Sequence, residues 1–209
     1  MGSPRPLTAT SYALLGLLDM RPWSSYELTK QMGRALHFVL PRAESNVYAE
    51  SKRLVADGLA SATHEATGRR TRTVYAITPA GRAALADWLS RSPRPTTLEA
   101  EGLLQLLFAT TRTPDEIIGM LREIEAEAAA PQAPWIAVAD EYLQDRGPFP
   151  ERLHVNLLFW AFAARYTRMR IEWARWAQDV VAAWPASGRP DAETLKATLR
   201  AELEALERA

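Results

Sequence analysis

The chain has 209 residues, 47% of them apolar, which is enough to bury a real core and to build two domains. It contains no cysteine, so disulfides, iron–sulfur clusters, thiolate zinc sites and a cysteine nucleophile are excluded, and a reducing compartment is the natural home. Basic and acidic residues balance at 25 each, yet residues 1–92 hold 12 Lys or Arg against 7 Asp or Glu while the remainder holds 13 against 18, so a polyanion partner would meet the N-terminal part.

Residues 1–6 lack the basic-then-apolar pattern of a signal peptide. The longest strongly apolar stretch, Val155 to Ala164, is ten residues, about half of the ~20 needed to cross a bilayer. The expectation is a soluble, cytoplasmic protein.

Leu7 to Met20 reads as a mostly apolar helix, with Thr8 as its cap and Pro22 beyond its end. Ser24-Ser25-Tyr26-Glu27 has the form of a capping box and opens a second helix to about Leu36. Pro41 precedes a third helix running to about Asp57, which Gly58 ends in a left-handed conformation. Leu59 to Glu65 and Thr71 to Thr78 read as the strands of a hairpin with its tip at residues 66–70. Thr78-Pro79 opens a fourth helix to about Arg91.

Ser92-Pro93-Arg94-Pro95 is a stiff linker, and it divides the chain into domains 1–92 and 93–209. Thr96-x-x-Glu99 and Thr113-Pro114-Asp115-Glu116 are two further capping boxes, each opening a helical segment. Pro148 and Pro150 precede a long helix that ends at Trp184-Pro185, and Gly188, Pro190 and Asp191 announce the last helix. The predicted fold is mainly α with a small β-hairpin: an α-α-α-β-β-α winged helix-turn-helix domain followed by an all-helical domain.

Projected at 100° per residue, the third helix puts Val47, Ser51, Leu54 and Val55 on one side and Arg42, Ser45, Asn46, Ala49, Lys52 and Arg53 on the other. The second face suits the major groove: Arg and Lys read guanine edges or phosphates, Asn pairs with adenine, and Ala49 permits close approach. A solvated surface helix would carry the same pattern. At the hairpin tip Arg69, Arg70 and Arg72 lie within four residues, which suits a wing gripping phosphate and equally an edge hairpin guarded by charge.

Tyr166, Met169, Trp173, Trp176, Val180 and Trp184 recur at spacings of 3, 4, 3, 4 and 4, a helix seam that fits either a subunit interface or an internal core. Leu195, Leu199, Leu203 and Leu206 repeat the theme in the last helix and could pack on a partner subunit. Seven tryptophans offer flat walls for a planar ligand; Trp88, Trp160 and Trp173 are the candidate walls, with His154 as a polar contact. The three histidines are scattered and no HExxH, GxGxxG or P-loop occurs, so neither a metal site, a cofactor nor an enzyme is expected.

Four segments together resemble the PadR family of regulators, specifically its longer members with a virulence-activator-type helical C-terminal domain. They are Tyr12-Ala13-Leu14-Leu15-Gly16-Leu17-Leu18, Ser25-Tyr26-Glu27-Leu28, Tyr48 with Lys52-Arg53-Leu54 and Gly58-Leu59, and Tyr75-Ala76-Ile77-Thr78-Pro79-Ala80-Gly81-Arg82. Ser25 stands where the family usually has Gly, and Ala49-Glu50-Ser51 replaces the common Pro-x-Leu. The resemblance implies a homodimeric repressor whose third helices and wings hold an inverted repeat in double-stranded DNA, Tyr48 among the DNA-binding residues, and release of some members by phenolic acids or hydrophobic cations. Two other readings stay open: a winged-helix protein-interaction module, and a ligand sensor without sequence-specific DNA binding.

Overall fold

The structure, a computed structural model, describes residues 5–36, 39–40, 46–67, 70–130, 132–185, 188 and 190–208. The chain divides into two compact units, Met1–Thr96 and Thr97–Ala209.

In the first unit, α1 (Ala9–Met20) starts at Thr8, whose hydroxyl accepts from the Ser11 N–H at 3.2 Å while Ser11 Oγ accepts from the Thr8 N–H at 2.8 Å. These bonds satisfy amides that a helix leaves free in its first turn. Leu14, Leu15, Leu17 and Leu18 of the helix are buried, as are Leu28, Met32, Val47 and Leu54 further along the chain. The chain then makes β1 (Trp23–Ser24), a strand that the hydrophobic pattern does not announce. Trp23 is buried, and its indole N–H donates to the Leu17 carbonyl at 2.7 Å, a partner that lets the ring enter the core.

Ser24 caps α2 (Ser25–Gln31), which continues as a π-helical turn over Met32–Leu36. The Glu27 carboxylate accepts from Ser24 Oγ at 2.7 Å, from the Ser24 N–H at 2.8 Å and from the Arg21 guanidinium at 3.2 Å. The Ser24 hydroxyl foremost, then its amide and Arg21, hold the Glu27 pKa at about 2, against an ordinary 4.5. A carboxylate depressed in the folded state stabilises fully above its unfolded pKa and loses that contribution as pH falls through the folded value. Glu27→Gln is therefore expected to flatten the acid dependence of unfolding free energy between pH 4.5 and about 2. Urea titrations across that window check it, and an unchanged acid limb would contradict the capping role.

Helix α3 (Val47–Ala56) ends at Gly58, whose φ of +72° is the left-handed conformation expected of it. Strands β2 (Ala60–Thr67) and β3 (Arg70–Ile77) pair antiparallel from Ala60↔Ile77 to Thr67↔Arg70, so the ladder runs further toward the tip than the 66–70 loop expected from sequence. Trp23↔Tyr75 and Ser24↔Val74 add β1 to the other side of β3, making the hairpin a three-stranded sheet of order β1-β3-β2. Thr78 caps α4 (Pro79–Ser90), with Pro79 in the first turn, where a missing N–H costs nothing. These elements are a winged helix-turn-helix.

The second unit is helical. The expected helix start at Thr96-x-x-Glu99 is a correction: residues 92–100 carry no helix, and α5 (Glu101–Leu107) begins after Ala100, which has no side chain to cap it. Thr113 does cap α6 (Pro114–Ala129) in a full capping box. Beyond α7 (Gln132–Leu143) and a 3₁₀ turn at Pro150–Arg152 comes α8 (Leu153–Ala182). Helices α6 and α8 lie along each other over a core of Ile117, Leu121, Ala177 and Val181. Glu125 ties them at the rim, accepting from Arg175 at 2.6 Å and Gln178 at 2.9 Å, and these two hydrogen bonds lower its pKa. Asp191 caps α9 (Ala192–Glu207), which buries no residue. Among the described residues, no helix is long and apolar enough to cross a membrane.

Candidate nucleic-acid interface

The reading face rests on how α3 is seated. Val47, Ser51 and Leu54 are buried, so Asn46, Tyr48, Ala49 and Lys52 point to solvent. Tyr48 and Lys52 are one turn apart, and the Lys52 ammonium lies 4.4 Å from the Tyr48 ring centroid, a cation–π contact that pre-orients the lysine. Hydrogen bonding with Tyr48 raises the Lys52 pKa further above neutrality, so the side chain is cationic wherever nucleic acid would be met.

Arg53 departs from the expected face. Its guanidinium lies 3.4 Å from Glu50 and 3.4 Å from Asp57 on its own helix, and it donates to the Pro6 carbonyl at 3.2 Å and to that of Arg5. Only 19% of the side chain is exposed. The 100° projection sets Arg53 well within the polar face, but the segment preceding α1 takes up its donors. It is a strut for that segment rather than a free reader. Glu50, which the sequence does not single out, completes the strut by accepting from the Ser11 hydroxyl of α1. Nothing local signals this bond, because its partners are 39 residues apart.

On the wing, Arg72 stands directly across from Glu65 in the ladder and donates Nε and Nη2 to one carboxylate oxygen at 3.1 and 2.8 Å. Both side chains are about half exposed, so this is a pair of small net worth that an incoming phosphate can replace. Arg42, Ser45 and Arg69 lie outside the described residues, as does the side chain of Arg70, whose backbone opens β3.

Of the tryptophans expected to wall a ligand, Trp88 belongs to the first unit and Trp160 and Trp173 to the second. Trp88, in the first unit, stacks on Tyr12 with ring centroids 4.7 Å apart and planes at 8°. Trp160 meets Tyr142 edge-on at 4.8 Å, His154 is exposed, and Trp173 packs on the α6–α8 core. Trp160 and Trp173 share α8 thirteen residues apart, roughly 20 Å along the axis, so within one chain they cannot flank one planar molecule. The seam of α8 also divides. Trp173 and Trp184 serve the internal core, Tyr166 and Val180 are half-buried, and Met169 and Trp176 remain exposed. Leu195, Leu199, Leu203 and Leu206 of α9 are all exposed. Among the described residues no cluster of side chains could hold a metal ion.

Residues 14–87, which span the helices, the sheet and most of α4, match the transcriptional regulator PadR-like family. Over this stretch the chain is similar to that family. The negative transcriptional regulator PadR of Bacillus subtilis (strain 168) is 28% identical over 114 residues, a stretch covering 54% of this chain and 63% of that protein, under two thirds of its length. The fold agrees over a greater length. Bacillus subtilis PadR in complex with operator DNA superposes with a TM-score of 0.69 at 21% identity, over 83% of this chain and 99% of that one. The same protein in complex with p-coumaric acid gives 0.62 at 22% identity, over 84% and 99%. The Vibrio cholerae virulence activator AphA gives 0.57 at 22% identity, over 83% and 96%, so the PadR-like winged helix with a helical second unit is shared by all three structures.

Proposed function

We propose that the chain is a cytoplasmic, homodimeric PadR-like repressor that holds an inverted-repeat operator and lets go of it when a small aromatic or lipophilic effector binds. The observation that carries this reading is the outward face of α3, where Asn46, Tyr48, Ala49 and Lys52 stand free beside a helix edge tied down by Arg53. Such a face pairs hydrogen-bonding groups and a fixed cation with room for a groove wall. The relative's complex with operator DNA and its complex with p-coumaric acid support the two partners by analogy.

Dimerisation belongs to the second unit in this reading. Met169 and Trp176 on α8 and the leucines of α9 supply exposed apolar surface, while Trp173 and Trp184 stiffen the helix beneath. A dimer sets two recognition helices about 34 Å apart, one turn of duplex.

The wing supplies contacts to phosphate, which are blind to sequence and sensitive to salt. Arg72→Ala is expected to weaken binding to specific and unrelated duplexes alike and to lower the slope of log affinity against log salt by about one. Fluorescence anisotropy at several salt concentrations tests this. A loss confined to one sequence would mean that the wing reads bases, and no loss on any duplex would remove it from the interface.

A further inference from the structure

Different parts of the chain border the two sides of α3. Val47, Ser51 and Leu54 point inward, so at 100° per residue the exposed Ala49 and Ala56 mark the middle of the outward face. To one side of that middle lie Tyr48 and Lys52, where Lys52 also interacts electrostatically with Tyr75 of β3. To the other lie Asn46 and Arg53, then Glu50. On that side the Arg53 guanidinium donates to the carbonyls of Arg5 and Pro6, and Glu50 accepts from Ser11 in the first turn of α1. A strand of the wing therefore borders one side of α3, and the segment preceding α1 borders the other.

That segment is held in place. Arg53 grips two successive carbonyls, and only two residues beyond Pro6 the Thr8–Ser11 capping pair fixes the start of α1. Pro6 keeps the residue before it extended. Arg5 is exposed, and its side chain makes no ion pair among the described residues, so a cation stands on a backbone that is already fixed.

We infer that the segment before α1 is an arm whose Arg5 contacts the DNA backbone on the groove wall opposite the wing, with Arg53 as its positioning residue. The duplex itself rests on the function proposed above. A helix lying in a major groove about 12 Å wide has a ridge of phosphates along each side. The wing borders only one of them. The other ridge faces Asn46, which is neutral, and the Arg53 guanidinium, which Glu50 and Asp57 already engage. Arg5 supplies the missing cation there, and a guanidinium matches a phosphodiester in both charge and geometry. Because its backbone is fixed beforehand, little freedom is lost when the contact forms. Phosphates carry no base information, so the arm adds affinity without altering what α3 reads.

The test uses the full-length protein and two fluorescein-labelled duplexes of equal length, one of mixed sequence and one selected by the protein from genomic DNA. Affinity is read by anisotropy at several salt concentrations. Arg5→Ala is expected to weaken binding to both several-fold and to lower the slope of log affinity against log salt by about one for each chain bound. Its unfolding midpoint and sedimentation should match the parent's. Arg5→Lys should keep the parent's slope. Arg53→Ala, read where unfolding curves show it folded, should lose the same slope, and adding Arg5→Ala to it should cost little more, since both act through one contact. The chain has no cysteine, so Arg5→Cys accepts an iron chelate at a single position. Cleavage of the selected duplex is expected on the side of each half-site away from the cuts made by the same label at Glu65→Cys on the wing. An unchanged affinity and slope in Arg5→Ala overturns the inference. So does a loss confined to one duplex, which would make Arg5 a reader of bases, and so does a change in sedimentation alone, which would make the arm a subunit contact. A parent chain that binds neither duplex overturns the proposed function, and this inference with it.

Discussion

Gly81→Ala is expected to unfold the DNA-binding unit at markedly lower denaturant concentration than the parent chain. A Cβ at this position would lie 2.1 Å from the Leu59 carbonyl oxygen and 2.8 Å from Ile77 Cγ1. The Leu59 carbonyl cannot simply retreat, because it accepts from the Thr78 N–H at 3.1 Å, and the Leu59 N–H donates to the Leu54 carbonyl at 2.8 Å. One point of backbone contact thus joins the end of α3, the start of β2 and the first turn of α4. Relieving the clash requires α4 to lift from the sheet, with a cost of about 3 kcal/mol or more. Helix propensity alone predicts the opposite sign, since alanine is favoured over glycine by about 1 kcal/mol within a helix. Urea unfolding followed by tryptophan fluorescence decides between them. A midpoint equal to or above that of the parent would show that the close approach is not a constraint.

The second large effect is expected at Lys52. Its ammonium is held over Tyr48 on the solvent side of α3, so removing it should leave the fold intact and act on the complex with DNA. Lys52→Ala is expected to weaken specific binding about tenfold or more and to relax preference at one base pair of each half-site. Arg53→Ala should behave in the opposite way. It leaves the half-buried Glu50 carboxylate with the Ser11 hydroxyl but without the guanidinium, and the Pro6 carbonyl without this donor, so it should lower stability while the variant that remains folded keeps the parent's sequence preference. Anisotropy titrations against single-base operator variants, beside unfolding curves, separate the two residues. Lost preference in Arg53→Ala together with unchanged preference in Lys52→Ala would exchange their roles.

The contrast between these neighbours shows what a sequence can and cannot disclose. Signals closed within three or four residues are legible: the capping pairs at Thr8, Ser24, Thr78, Thr113 and Asp191, and the left-handed Gly58, all stand where they are expected. The apolar stripe of α3 is legible for the same reason, since periodicity alone buries Val47 and Leu54.

Features made by distant partners are not. Strand β1 is two residues long, and it exists because Trp23 meets Tyr75 across the sheet and donates to Leu17 in the core. The pattern at Thr96-x-x-Glu99 satisfies the letter of a capping box, but the chain stays non-helical as far as Ala100. Arg53 looks like its neighbour Lys52 until the chain before α1 occupies its donors. Trp160 and Trp173 are alike by residue type, and the length of α8 parts them.

The central claim, that α3 of a dimer reads an inverted repeat, is tested most directly by selecting genomic DNA fragments with the full-length protein and with Lys52→Ala in parallel. The account predicts one inverted-repeat consensus for the parent, with half-sites one helical turn apart or a multiple of it and two chains bound per site. It predicts that Lys52→Ala returns the same spacing with preference lost at symmetry-related positions. Fragments that share no motif, a single half-site bound by one chain, or identical consensus sequences recovered at equal affinity by both proteins would contradict it.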